Sequence, residues 1–468
     1  MKFKLSKIAD CLEVETPLKD REITGYSIDT RTIRTGDLFF AIRGTVQDGH
    51  QYVPAAFENG ASAAVVRTTW AVEHETNGPI LAVPEPSHAL SQLACHSRLD
   101  WGKPLVAITG SNGKTTTKEL TAAILETRYK VAKSLGNLNN ELGLPLSLLR
   151  FDEKSEVGVV EMGMNHMGEI RRLTNIAAPS IAVVTNVNAV HLEHFSSVDE
   201  IASAKRELIE QLPNSGTAIL NNDDPRVASF RAAHSGPVIT FGIEQPADFQ
   251  AVNVETFGAQ GVRFVLKVGI GRQRKRLQFE SPLPGRHNIS NILAALATAS
   301  TLDIDAEQAH NLIASFQPRK MRGEISHIGG ITLLDDCYNS NPQALSEMLT
   351  VLKETSATRR IAVLGEMLEL GSETPALHAE SGRKVAEASI DLLIVIGEVA
   401  RKVAVGATEE GFPPNAVFYF EDVMAASSFL VDTLECGDAV LLKASRRVGL
   451  EQALEAIKQN LETPRTGK

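Results

Sequence analysis

Lys114 and Thr115 stand directly after a glycine, in the run Gly110-Ser111-Asn112-Gly113-Lys114-Thr115-Thr116. An ammonium and a hydroxyl placed behind a glycine-rich turn suit a nucleoside polyphosphate. The lysine neutralises the β- and γ-phosphates, and the hydroxyl reaches a Mg²⁺ ion, which takes hard oxygen ligands. Gly110 and Gly113 allow backbone angles that a Cβ forbids, so the N–H groups of the loop turn toward a phosphate. Where the usual phosphate-loop pattern has its first glycine, this chain has Ile108, which makes the loop a shorter variant.

These residues need elements to hold them. Leu105 to Ile108 reads as a buried parallel strand, and Leu120 and Ile124 with nearby alanines give the next segment a helical apolar face. Val157–Glu161 and Ile181–Val187 are further strands; the first ends in a carboxylate, and His191 lies just beyond the second. Ligands of open α/β sheets bind outside the carboxyl ends of the strands. Lys114, Thr115, Glu161 and His191 are therefore expected to converge as a metal and phosphate constellation. A salt bridge for Glu161 and a helix cap for His191 are the plain alternatives.

At 468 residues the chain exceeds one ordinary domain. The net charge of −10 argues against a nucleic-acid partner held by phosphate contacts. No stretch approaches a membrane span, and the N-terminal stretch lacks a secretory apolar core. Cys11, Cys95, Cys337 and Cys436 are scattered without metal-site spacing, which fits free thiols in a cytoplasm. The basic run Arg272, Arg274, Lys275 and Arg276 reads as a solvated hairpin between strands.

The expected organisation is α/β in three units. Residues 1–84 form a small first unit, with polar groups at Ser27–Arg31 and Asp48–His50 near turns, where capping or surface positions are the usual explanation. Residues 85–314 form the central unit, opened by a helix with Ser87 as N-cap. Within it, Lys205 reads as an ordinary surface lysine, and 238–283 as an antiparallel excursion. Asn288 and Asn291 lie on one side of a helix. Their amides suit an adenine edge, and an N-cap with a surface Asn suits them as well. Residues 315–468 read as a strand–helix series without a dinucleotide fingerprint, with Asn341-Pro342 opening a helix. The stretches Gly365–Gly371 and Lys443–Arg446 follow strands, where ligand loops belong.

Taken together these motifs resemble the ATP-dependent Mur ligases of peptidoglycan synthesis, over essentially the whole chain. The resemblance is carried by the phosphate loop, Glu161-Met-Gly, the run from Asn186 to His191, Gly285–Asn291 and Asp335–Pro342. Ser27–Arg31, Gly36–Gly44, Asp48–His50, Gly136–Pro145 and Leu364–Gly371 point to the branch that joins D-alanyl-D-alanine to UDP-N-acetylmuramoyl-tripeptide. Other Mur-type or folylpolyglutamate-type amide ligases are the alternative. Glu366, where Asp is more usual, and Ala444, where Gly is usual, depart from the pattern.

The resemblance implies three domains: a small UDP-binding one, a central P-loop sheet binding ATP, and a Rossmann-like one for the dipeptide. It implies that Thr115 and Glu161 hold one Mg²⁺ and that His191 serves a second. Lys205 falls at the family's carbamylated lysine, an oxygen donor in that form. Asn288 and Asn291 would meet adenine, Arg322 the γ-phosphate and Asp336 the ribose. Ser27, Arg31 and His50 would hold the UDP moiety, with Asn137 and Asn139 along the substrate's path. Asn339, Ser445 and Arg446 would lie on the dipeptide side. A monomer that closes its third domain on nucleotide is expected.

Overall fold

The computed structural model describes residues 1–15, 20–269 and 275–462. Three large sheets organise them, beside a two-stranded antiparallel pairing of Phe3–Lys4 with Glu22–Ile23, and the protein is a three-domain α/β fold. The first sheet has four parallel strands in the order Gly25–Ser27, Asp37–Phe40, Ala63–Arg67 and Ile80–Val83. The helix that follows, Pro86–Trp101, is capped by the Glu85 side chain with Pro86 in its first turn, so Ser87 is not its N-cap. Proline is preorganised for that place and lacks only an N–H that has no partner there. Arg98 of this helix is buried and donates to the carbonyls of Ala177 and Ala178, capping the helix Glu169–Ala177.

The second sheet has nine strands. Its parallel part runs Val131–Lys133, Val157–Glu161, Leu105–Thr109, Ile181–Val184, Thr217–Asn221, Val238–Gly242, Phe249–Thr256. The strands Val262–Val268 and Lys275–Ser281 extend it antiparallel, as the alternating pattern predicts. Lys275 and Arg276 open the last of these, while Arg272 and Arg274 lie outside the described residues. The central strands are buried on both faces. One face shares a core with the first unit, where Ile23, Tyr26 and Leu38 meet Leu144, Leu148 and Phe151. The other packs on the helices Lys114–Glu126 and Arg286–Ser300.

The third sheet has the order Glu324–Ile328, Ile331–Asp336, Asp438–Lys443, Arg359–Gly365, Leu392–Ile396, Val417–Phe420. Only its first pair is antiparallel. The last strand in the chain thus sits in the middle of the sheet. This creates a switch point at which the carboxyl ends of three strands open one crevice. Asn341 caps the helix Pro342–Glu354 through the Ala344 N–H, as its sequence predicts. All four cysteines are free. Among the described residues no helix is long and apolar enough to cross a membrane.

Candidate active site

The Leu105–Thr109 strand lies between Val157–Glu161 and Ile181–Val184, with Ile108 beside Glu161 and Thr109 beside Val184. This register sets the phosphate loop, Glu161 and the 185–191 segment side by side. The loop is braced from that segment. The Ser111 N–H donates to the Asn186 carbonyl (2.9 Å) and the Asn112 N–H to Asn186 Oδ1 (2.8 Å). Thr185 Oγ1 donates to the Asn112 carbonyl (2.6 Å), and Ser111 Oγ accepts the Asn188 N–H (2.8 Å). Gly113 has φ +80°, and a Cβ there would stand 2.3 Å from Asn291 Oδ1. The glycine therefore serves both the turn and the close approach of the Asn291 helix.

Lys114 Nζ folds back on its own loop, donating to the carbonyls of Gly110 (2.8 Å) and Ser111 (3.1 Å). Burial lowers its pKa; Glu161 opposes that shift, Arg322 adds to it and Glu369 opposes it. Thr115 and Glu161 are both 3% exposed, and Thr115 Oγ1 donates to Glu161 Oε2 at 2.8 Å. Asn139 Nδ2 donates to the other oxygen, Oε1, at 2.8 Å. Two hard oxygen donors at the carboxyl end of the sheet, beside a phosphate loop, fit a magnesium ion. No group of three or more His, Cys, Asp or Glu side chains among the described residues could hold a metal. Thr115 and Glu161 are in direct contact and line the cleft with His191, whereas Lys205 does not line it. His191 Nδ1 lies 2.6 Å from Glu369 Oε2, an ion pair from the third unit.

Lys205 is not a surface residue. It is 2% exposed, and its pKa falls well below the ordinary lysine value through burial and then the Lys114 charge. It lies on the inner face of the helix Val198–Glu210, a face that periodicity alone did not assign to it. Burial and the Lys114 charge both bias the amine toward its neutral, nucleophilic form, the form that a carbamate-forming lysine uses.

One cleft of about 1070 Å³ joins the second and third units. Ser111, Asn112, Gly113, Lys114, Thr115 and Thr116 line it, with Asn137, Asn139, Glu161 and His191. Asn288, Asn291, Arg322, Asp336 and Asn339 line it too. Asn288 is buried inside its helix, whose N-cap is Gly285, so the cap reading does not hold. Its Nδ2 donates to the Pro284 carbonyl, and its Oδ1 accepts from Asn291 Nδ2 (3.0 Å). Arg322 packs over the Tyr338 ring, 3.9 Å from its centroid. Asp336 pairs with the buried Lys443, which also donates to the Asn339 carbonyl. The side chains of Asn112 and Asn341 exchange hydrogen bonds, 2.7 Å and 3.3 Å, linking the phosphate loop to the third unit.

Gly110, Lys205, Ser27, Arg31, His50, Ser445 and Arg446 are not among the lining residues. His50 has no free ring nitrogen: Nδ1 lies 2.6 Å from Asp48 Oδ1, and Nε2 accepts the Arg67 N–H. Ser27 Oγ is spent on Asp29 and Thr32. Arg31 is exposed and forks onto Asp29, which caps its turn. Ser445 is buried and accepts the Leu368 N–H; Arg446 pairs with Glu451. Sequence reading missed Thr185, Asn186 and Asn188 as braces, Glu369 as the His191 partner, and Lys443. Their only signal was position at strand ends.

Comparison with known proteins agrees with this geometry. Family models match in three stretches: the Mur ligase family, catalytic domain at residues 22–98, the Mur ligase middle domain at 108–299, and the Mur ligase, glutamate ligase domain at 321–446. The chain is 33% identical to UDP-N-acetylmuramoyl-tripeptide--D-alanyl-D-alanine ligase of Bacillus subtilis, over 94% of each chain. A crystal structure of MurF from Acinetobacter baumannii superposes with a TM-score of 0.88 at 28% identity, covering 98% of this chain and 99% of that one. MurF ligase from Thermotoga maritima in complex with ADP gives 0.82 at 27% identity, covering 94% and 98%. The chain belongs to the Mur ligase family.

Proposed function

We propose that this protein is an ATP-dependent ligase that adds D-alanyl-D-alanine to UDP-N-acetylmuramoyl-tripeptide. The observation that carries the reading is the single cleft in which the phosphate loop and Glu161 face the switch-point residues of the third sheet. A carboxylate is a poor acyl donor because its leaving group is oxide. Transfer of the γ-phosphoryl group of ATP to it gives an acyl phosphate and ADP. The dipeptide amine then attacks the carbonyl carbon, and the tetrahedral intermediate expels phosphate and leaves an amide. Phosphoryl transfer asks mainly for positioning and charge neutralisation.

In this reading Lys114 binds the β- and γ-phosphates, together with the N–H groups of Gly113 to Thr116 at the start of the helix, while Gly110, Ser111 and Asn112 shape the loop around them. Thr115 and Glu161 hold Mg²⁺, which supplies charge neutralisation at the phosphates when bound. His191 and a carbamylated Lys205 serve a second ion. Asn288 and Asn291 meet adenine, Asp336 the ribose, and Arg322, supported by Tyr338, the γ-phosphate. Residues 1–84 hold the UDP moiety, with Arg31 as the exposed charge and Ser27 and His50 shaping the loops. Asn137 and Asn139 line the tripeptide's path within residues 85–314. Residues 315–468 hold the dipeptide, with Asn339, Ser445 and Arg446 on that side. The protein acts as a monomer in the cytoplasm.

The test is phosphate release from ATP and Mg²⁺ with UDP-N-acetylmuramoyl-tripeptide, with and without D-alanyl-D-alanine. Release that needs both, with the pentapeptide product seen by mass, is the expected result. Release with a different amine moves the protein elsewhere in the family. No release with any combination overturns the ligase reading.

A further inference from the structure

Leu368, Glu369 and Leu370 of the cleft wall come from the loop after the Arg359–Gly365 strand. Glu369 has φ +64°, a left-handed conformation disfavoured for a side chain other than glycine, so something must hold it. Met367 and Leu370 are each 1% exposed and anchor the loop in the core of the third unit. Two polar contacts complete the hold. The Leu368 N–H donates to Ser445 Oγ (2.9 Å), and the Met367 N–H donates to His378 Nε2 (3.0 Å).

His378 lies on the helix Thr374–Glu387, is 0% exposed and does not line the cleft. Its Nδ1 is 2.7 Å from the Thr374 carbonyl. A carbonyl only accepts and a backbone N–H only donates. The proton is therefore on Nδ1 and the lone pair on Nε2, a single neutral tautomer. Burial lowers the His378 pKa, which keeps the ring in that state. The loop it holds meets the central unit directly. Glu369 Oε2 reaches His191, the Glu193 N–H donates to the Glu369 carbonyl (3.3 Å), and Gly371 packs on Leu192 and Glu193.

We infer that His378 is a positioning residue for the acceptor side of the cleft: its Nε2 lone pair, by holding the Met367 N–H, sets the loop so that Glu369 meets His191. The inference rests on the reading that this loop faces the incoming dipeptide. It is tested by two readouts, ligation kinetics and hydrogen exchange of the 366–371 amides. The second does not depend on activity. In His378→Leu the buried N–H loses its acceptor, so loop exchange rises about tenfold or more and the KM for D-alanyl-D-alanine rises about tenfold. His378→Gln places an acceptor near the Nε2 position and restores both readouts to within about threefold. In a Glu369→Ala background, His378→Leu changes the dipeptide KM no further, because the two act through one loop.

Unchanged exchange and KM in His378→Leu would overturn the inference. So would a Gln variant as impaired as the Leu variant, or additive effects in the Glu369→Ala background. If the Leu variant does not fold, His378→Asn replaces it, since its shorter amide leaves Met367 without an acceptor. If the wild type ligates no amine, the proposed function fails, and loop exchange alone decides the inference.

Discussion

Replacing Asn139 with alanine probes the link between the 137–140 segment and the carboxylate beside the phosphate loop. Glu161 is 3% exposed and its carboxylate has two donors, Asn139 Nδ2 and Thr115 Oγ1, each at 2.8 Å. A hydrogen bond to a buried charged group contributes about 1.5–3 kcal/mol. Alanine keeps the Asn139 carbonyl that accepts the Gly163 N–H, so the backbone contact survives and only the amide is lost. A loss of about 2 kcal/mol corresponds to a roughly 30-fold change in an equilibrium or rate constant. Initial rates of phosphate release across a Mg²⁺ titration, with both carbon substrates saturating, should show half-saturation displaced upward by about that factor. Asn139→Asp should be worse, since it sets a second carboxylate against the first. Asn137→Ala is the control: it lines the same cleft without a hydrogen bond to Glu161. If Asn139→Ala and Asn137→Ala share the Mg²⁺ dependence of the wild type, the orienting role of Asn139 is wrong.

Three further outcomes follow from the geometry. Lys205→Met should abolish ligation yet raise the melting temperature, because the buried lysine is forced toward its neutral form in the fold. Its folded pKa is lowered, so the unfolded chain binds more protons below about 10.4, the ordinary lysine value. The gain in Tm should therefore be largest near neutral pH and shrink as pH approaches that value, which thermal melts over a pH series would check. Tyr338→Leu removes the ring under Arg322, a contact worth about 0.5–2 kcal/mol, whereas Tyr338→Phe keeps it. Only the leucine variant should lose ATP-dependent rate, by about two- to thirtyfold, when kcat/KM for ATP is measured. Gly113→Ala should abolish ATP binding in calorimetry, because its Cβ would lie 2.3 Å from Asn291 Oδ1 at a φ of +80°; a wild-type isotherm would count against the loop geometry.

Much of the site was legible in the chain because it is local. The phosphate loop, its strand and its helix are contiguous, so glycine spacing and apolar periodicity are enough to place Lys114 and Thr115. Glu161 was readable because a strand that ends in a carboxylate presents it at the sheet's ligand edge. The Asn341-Pro342 helix start was readable for the same local reason. The residues that were misread or missed share a different property. Lys205 sits in a helix whose polar residues outnumber its apolar ones, so its pattern does not say which lysine turns inward. The bonds that fix Ser27 and His50 in place, to Asp29, Thr32, Asp48 and Arg67, are likewise not announced by residue type. Thr185, Asn186 and Asn188 brace the loop through bonds that span more than seventy residues of chain.

The amino-acid order by itself determined that the protein is α/β, that it carries a phosphate loop, and that carboxylates and an imidazole stand at strand ends near it. Those are consequences of backbone sterics and side-chain period, which act over a few residues. Tertiary structure alone decided which groups meet. It buried Lys205 close to Lys114, paired His191 with Glu369 and Asp336 with Lys443, and joined Asn112 to Asn341. Each of these contacts joins distant segments or depends on which helix face is buried. Strand order and packing set such contacts, because hydrogen-bond reach is about 3 Å and no local pattern encodes it.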